Sequence, residues 1–276
     1  MSIPFGHHHL YNRYRFTGDL ELVTALHVSS GRASDETDSP FIKTLDNTPF
    51  IPGSSLRGAI RSEIERILGA VGEAADLTTC TLFTPEACEK LIRDCFKELE
   101  KQEETKLFDE RKTADELLAQ AAEENLCDVC RLFGSAGYAT RLFIYDAMPI
   151  GGGPRQPQGV VRDGVGIDRD TGAAREGVKF DYEVIESGPL FLFEMVAENV
   201  TPEDRKLLNL ILALLKDGLH VGAKRGSGLG LIRLAPRKDG SPFHTTGFDK
   251  PEMLWQALSE GKPIEQTLAW QEDLEC

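Results

Sequence analysis

At 276 residues, with 41% hydrophobic and 28% charged side chains, the chain has ordinary globular composition and enough length for one large or two small domains. No stretch approaches 18 uncharged apolar residues, and the N-terminus lacks the cationic-then-apolar layout of a signal peptide, which excludes a membrane-spanning helix and makes a cytoplasmic location the expectation. The formal charge of −14 argues against nucleic acid only until its distribution is read: residues 85–126 hold 7 Lys/Arg against 13 Asp/Glu, residues 249–276 hold 2 against 7, and the other 206 residues carry only −3.

Residues 13–28 alternate apolar and polar side chains, which predicts a strand with a bulge at Gly18. His7, His8 and His9 before it read as solvated terminal residues. Residues 29–53, rich in Ser, Gly, Asp, Asn and Pro, predict a long loop around a short extended piece at 41–44. Ser54 and Ser55 can cap a helix over 56–68, with Leu56, Ile60, Ile64 and Ile67 as its buried stripe and Arg57 and Arg61 one turn apart on another face. That helix N-terminus is a ready phosphate site.

Residues 76–135 read as an insertion, with charged helical stretches at 85–104 and 109–124. A strand is predicted at 141–148, and 151–178 form a glycine-rich arm or hairpin carrying Arg155, Arg162, Arg169 and Arg175. Residues 179–197 predict one or two strands, broken at Ser187-Gly188-Pro189. Thr201 caps a helix over 202–216 with Leu207, Leu208, Ile211, Leu214 and Leu215 as its stripe, and Pro202 in its first turn fits. A closing strand at 229–234 and a mixed tail, 236–276, with a short helix near 252–259 complete the chain. Without its insertions the order is strand, helix, strand, strand, helix, strand: an α+β, ferredoxin-like (RRM-like, βαββαβ) palm formed by residues 1–75, 136–150 and 179–235.

Between the last core helix and the closing strand, residues 218–234 (GLHVGAKRGSGLGLIRL) hold five glycines and the adjacent cations Lys224 and Arg225. A P-loop needs Gly-Lys-Ser/Thr at its end, and a dinucleotide fingerprint follows a strand and opens a helix. Neither arrangement is present. The loop reads either as a tight turn or as a backbone concavity for phosphate, with Lys224, Arg225, Gly226, Ser227 and Gly228 as its binding residues.

Six cysteines in a chain without secretory signals suggest metal before disulfides. Cys127-x2-Cys130 supplies one side of a tetrahedral site, and Cys80 and Cys88 are assigned to the other, giving a structural Zn²⁺ that pins the insertion. Cys95 is left out of the set, and Cys276 is terminal.

Four stretches in order resemble the RAMP superfamily, specifically the backbone subunit of type III CRISPR effector complexes of the Csm- and Cmr-like branch. They are 38–43 (DSPFIK), 50–58 (FIPGSSLRG) with Arg61 following, 130–135 (CRLFGS), and the pair formed by 162–169 (RDGVGIDR) with the glycine loop. The resemblance implies a palm that polymerises along a CRISPR RNA (crRNA). The 54–61 helix start (Ser54, Ser55, Arg57, Arg61), Arg162, Arg169 and the glycine loop would be in contact with the guide, the 76–135 insertion would be a lid, and 151–178 would be a thumb wedged between guide and target. It implies an endoribonuclease: Asp38 stands where family members carry an acid in the first long loop that cuts single-stranded target RNA beside a flipped nucleotide, with Asp35 or Glu36 able to assist and Mg²⁺ or Mn²⁺ at the phosphate. Other effector subunits and further copies of the chain are the implied partners.

Two other readings stay open. Asp-Ser-Pro is also a common turn, and a non-catalytic crRNA-binding scaffold has the same motifs. From a different class, an oligosaccharide- or nucleotide-binding enzyme on a ferredoxin-like core could use His27, His220 or His244, each alone in sequence.

Overall fold

A computed structural model describes residues 9–35, 37–81, 84, 87–103, 125–135, 138–151, 156–237 and 240–271. The predicted helix at 109–124, Glu36 and Arg155 lie outside these residues. The fold is built on one antiparallel sheet. Its central strand, β1 (Arg13–Leu22), alternates half-buried and buried residues along its whole length. On one side β1 pairs with β5 (Leu190–Glu198), which pairs in turn with the short β2 (Leu142–Ile144). Its other edge is shared: β7 (Leu231–Leu234) takes residues 20–22, and β8 (Phe243–Phe248) takes residues 13–18. The short strands β6 (Leu219–His220) and β9 (Gln266–Thr267) flank β7 and β8.

Two helices cover one face. α1 (Gly53–Ala75) lies between β1 and β2 in sequence, and α4 (Pro202–Asp217) between β5 and β7. Leu56, Ile60, Ile64 and Leu68 of α1, with Leu207, Leu208, Ile211, Leu212 and Leu215 of α4, enter one core with Phe16 and Leu20 of β1 and Phe191, Phe193 and Met195 of β5. Each such side chain, fully buried, contributes about 1.5–3 kcal/mol. The opposite face carries ion pairs: Arg13–Glu198 at 2.6 Å, Arg15–Glu265 at 2.7 Å, Arg233–Glu21 at 3.1 Å, and Arg15–Glu194.

Several boundaries differ from expectation. α1 runs on to Ala75 through Gly69 and Gly72, and Asp76 at φ 49° ends it. Its buried stripe takes Leu68 at strict four-residue spacing, while Ile67 is half-buried. β1 has no bulge at Gly18, since its register against β5 is continuous from Arg13 to Glu21. Gly18 serves closeness instead: a Cβ there would stand 2.8 Å from the Pro242 carbonyl oxygen. Residues 243–248 of the tail are a full member of the sheet.

The arm is a two-stranded hairpin, β3 (Gly159–Ile167) and β4 (Ala174–Ile185), longer than its glycine content suggested. Its base reaches the body through pairing of Leu26 with Ile185. The cysteine region supplies α2 (Cys88–Glu103) and α3 (Asp128–Phe133). A last helix, α5 (Pro251–Glu260), follows β8. Among the described residues no helix is long and apolar enough to cross a membrane.

Candidate nucleic-acid interface

The glycine loop folds back over residues 25–28. Ala223 N–H donates to the His27 carbonyl at 3.0 Å, and Gly230 N–H to the Ala25 carbonyl at 2.8 Å. Two of its glycines are dictated by this approach. At Gly222 (φ +79°) a Cβ would stand 2.3 Å from the His27 carbonyl oxygen, and at Gly230 (φ +88°) 2.0 Å from that of Val221. Residues 225–228 form an exposed 3-10 turn. Arg225, Gly226, Ser227 and Gly228 are all exposed there. The Glu63 carboxyl nearby lies below its ordinary range, held first by the hydrogen bond from Arg66, with Arg225 and His220 adding positive potential.

Lys224 takes a different direction. Its Nζ sits 4.0 Å from the Tyr182 ring centroid and 4.4 Å from that of Phe180, both on β4. The two rings stack with centroids 6.2 Å apart, and His27 meets Tyr182 edge-on at 5.4 Å. One face of the hairpin base is thus an aromatic surface closed by the glycine loop. On the hairpin, Arg162 pairs with Glu186 at 2.8 Å, and Arg169 is exposed in the turn between the strands.

The first long loop runs along the free edge of β4. Asp38 is exposed; its N–H donates to Asp181 Oδ1 at 2.7 Å, and Asp181 N–H donates back to Asp38 Oδ2 at 3.2 Å. Two residues along β4, Glu183 N–H donates to the Ser39 carbonyl at 2.9 Å. The Glu183 carboxylate accepts Phe41 N–H at 3.0 Å and pairs with Lys43 at 2.6 Å. His27 Nδ1 meets the Glu183 carbonyl at 2.6 Å, and its Nε2 lies 3.2 Å from Ser39 Oγ. Asp35 is exposed. Among the described residues, acids of this loop form no cluster of three potential metal ligands.

The α1 terminus is already occupied by protein groups. Gly53 N–H donates to Asp146 Oδ1 at 2.7 Å, so a carboxylate stands where a phosphate was expected. Ser54 is exposed and Ser55 half-buried. Arg57 and Arg61 turn toward the end of α3. Arg57 donates to the Phe133 carbonyl, and Arg61 donates to that of Gly134 at 3.1 Å and to Cys130 Sγ at 3.2 Å while pairing with Glu65 at 2.7 Å. Both guanidinium groups lie over the Phe133 ring, at 5.7 and 6.0 Å.

Cys80, Cys88, Cys127 and Cys130 come together with all four sulfurs within 4.8 Å of one another. Cys127, as N-cap of α3, accepts Cys130 N–H at 3.4 Å, while Cys127 N–H donates to Cys88 Sγ at 3.2 Å. Hydrogen bonds from Cys127 and Cys130 push the Cys88 thiol down to about 2. Its bonded neighbour Cys88, with burial, leaves Cys127 raised to about 12, and Cys130 is raised further, first by its bond with Cys127. Among Cys88, Cys127 and Cys130, one thiol is thus pushed down and two are pushed up, an arrangement in which further thiolates need a cation. The site can hold a metal, and an all-sulfur set suits Zn²⁺.

The RAMP superfamily model matches residues 19–233 of this chain. The chain belongs to the RAMP superfamily. Over 66 residues it is 30% identical to a protein named CRISPR system Cms endoribonuclease Csm3 from Enterococcus italicus, a match covering 22% of this chain and 31% of that relative's length. A chain of the cryo-EM structure titled Type III-B Cmr-beta in the apo state superposes with a TM-score of 0.50 at 13% identity, over 82% of this chain and 98% of that one. At that identity the likeness concerns the fold.

Sequence reasoning missed Asp146, Phe180, Asp181, Tyr182 and Glu183 of the candidate interface. Asp146 has no local signal, and that of the others is the run Phe180-Asp181-Tyr182-Glu183 on a strand, where aromatic residues share one face and acids the other.

Proposed function

We propose that this chain is a crRNA-binding backbone subunit of a type III CRISPR effector complex and that it cuts guide-paired target RNA at Asp38. Membership of the RAMP superfamily and the endoribonuclease named among its relatives support the assembly. The ferredoxin-like reading of the palm has the strand order β7-β1-β5-β2 in its favour, with α1 and α4 in the two crossovers. The hairpin β3–β4 is the thumb. The exposed Arg225 and Arg169 are its free guide-facing cations, Lys224 orders the loop on the thumb, and Zn²⁺ in the four-cysteine site fixes the insertion.

The single observation that carries cutting is the placement of Asp38: an exposed carboxylate held by the Asp181 N–H at the base of the hairpin, where a turn aspartate would instead cap its own loop. RNA carries its own nucleophile. With the 2′-OH in line with the adjacent phosphate, Asp38 accepts the hydroxyl proton, the O2′–P bond forms as the P–O5′ bond breaks, and the leaving 5′ oxygen takes a proton from water, giving a 2′,3′-cyclic phosphate and a 5′-hydroxyl. Asp38 would be the residue to hold Mg²⁺ or Mn²⁺, which would supply charge stabilisation to the reacting phosphate, since one or two carboxylates with substrate oxygens suffice for such ions.

Purifying the complex from its host, sequencing the bound RNA, and assaying cleavage of a complementary RNA tests both halves. Repeat–spacer RNA of defined length establishes the assembly. Loss of cutting in Asp38→Ala, with target binding retained, establishes the acid; unchanged cutting leaves the scaffold reading, and absence of RNA sinks both.

A further inference from the structure

We infer that Asp181, on the thumb strand β4, is a positioning residue that fixes Asp38 for cleavage, so that the cutting acid moves with the hairpin. The inference rests on the reading of Asp38 given above. Each aspartate accepts the main-chain N–H of the other, at 2.7 and 3.2 Å. A residue 143 positions away thereby clamps the loop at the reacting side chain itself. One oxygen of Asp38 is fixed on Asp181 N–H, and the other has no partner among the described residues.

The sequence of β4 bears this out as physics. In the hairpin register Asp181 stands directly opposite Asp163. Like charges in that position oppose strand pairing. Asp163 is drawn instead to Lys179, 3.3 Å away. The Asp181 carboxyl is held below its usual range first by the Thr37 hydroxyl, then by Asp38 N–H, with Lys179 adding to it. A strand that tolerates an acid pair breaks a local rule, and such breaks collect where function requires the residue. Two residues on, Glu183 repeats the arrangement with Ser39, Phe41 and Lys43. Alternate residues of β4 therefore grip alternate residues of the loop, as a neighbouring strand would. Glu183 forms the buried end of this latch and Asp181 its half-exposed end, beside the acid.

The test uses the assembled complex carrying Asp181→Ala, Asp181→Asn or Asp38→Ala. The asparagine keeps an oxygen for Asp38 N–H, whereas alanine does not. Asp181→Ala should lower kcat about 10²-fold, the scale of a small misplacement at a reacting group, with target affinity unchanged. Asp181→Asn should stay near wild type. In the same proteins, hydrogen exchange at the Asp38 amide should quicken in Asp181→Ala and not in Asp181→Asn, a readout that stands even where cutting is weak. Wild-type cutting by Asp181→Ala, while Asp38→Ala is inactive, overturns the positioning role and leaves Asp38 as the acid. An equal fall in both Asp181 variants assigns the effect to charge and also overturns it. Wild-type cutting by Asp38→Ala removes the reading on which the inference rests.

Discussion

The β3–β4 hairpin and the cysteine insertion are both additions to one sheet, fastened by different chemistry. The insertion has a small apolar patch, Cys88, Ile92, Leu126 and Cys130, joined by four sulfurs and by Arg61, which bridges Cys130 and the Gly134 carbonyl from α1, while Val129, Leu132 and Phe133 of α3 enter the main core. The hairpin is held at its base by the buried Val184 and Ile185, by Asp181 and Glu183 on the first loop, and by Phe180 and Tyr182 under Lys224. The contrast separates a part whose outer helix α2 reaches the body through the sulfur cluster from a part fastened along one strand by polar and aromatic side chains.

On the proposal that the four cysteines hold Zn²⁺, the largest effect should follow from removing it. Structural zinc contributes about 10–16 kcal/mol of apparent binding free energy in small peptides, part of which would become folding free energy here. Chelation, or Cys130→Ser, should release zinc and lower the melting temperature, with protection of α2 amides lost while the sheet and the core-packed α3 stay protected. Acid should do the same, since each ligand must be a thiolate. An insertion that keeps its protection without metal would erase the contrast with the hairpin.

Next in size is the buried end of the latch. Glu183→Ala leaves Phe41 N–H and the Lys43 ammonium without their acceptor. A buried donor left unsatisfied costs about 1–3 kcal/mol. Denaturant unfolding should show that loss, and residues 37–43 should exchange faster while β3 and β4 do not. Equal loss of protection in the hairpin would show that loop and hairpin form one unit and that their bonds do not release separately.

How much of this was legible in the sequence depended on distance along the chain. Local signals were readable. Thr201 and Asp204 form the capping box that opens α4, with Thr201 N–H on Asp204 Oδ2 at 2.8 Å. The spacing of Leu56, Ile60 and Ile64 marked the buried side of α1, and Cys127-x2-Cys130 marked the cysteine cluster that can hold a metal. Arg57 and Arg61 were read as phosphate contacts because their competitors, the carbonyls of Phe133 and Gly134, lie more than 70 residues away. Asp146 on Gly53 N–H was hidden for the same reason. β8 was missed because Phe243–Phe248 is a six-residue strand ending in Gly247 and Phe248, and it forms only on the β1 edge. The latch joins residues 38–43 to 181–183, two segments that each read as ordinary loop or strand alone.

The smallest predicted effect is the most discriminating, because it separates two adjacent cations. Arg225 is exposed in the glycine loop, whereas Lys224 lies over two aromatic rings. A phosphate contact shows itself in salt dependence, with a slope of about 0.7 per contact on a single strand. Arg225→Ala should reduce the salt slope of guide binding by about that amount, uniformly across guide sequences. Lys224→Ala should leave the slope nearly unchanged. It should instead remove about 0.5–2 kcal/mol of cation–π attraction and loosen the hairpin against the loop. Equal slope changes from both residues would place Lys224 on the RNA backbone and make its position over Phe180 and Tyr182 a resting state of the free chain. Unequal changes would mean that the loop divides its two charges, one for the guide and one for the thumb, so that guide binding and thumb position can be altered independently by single substitutions.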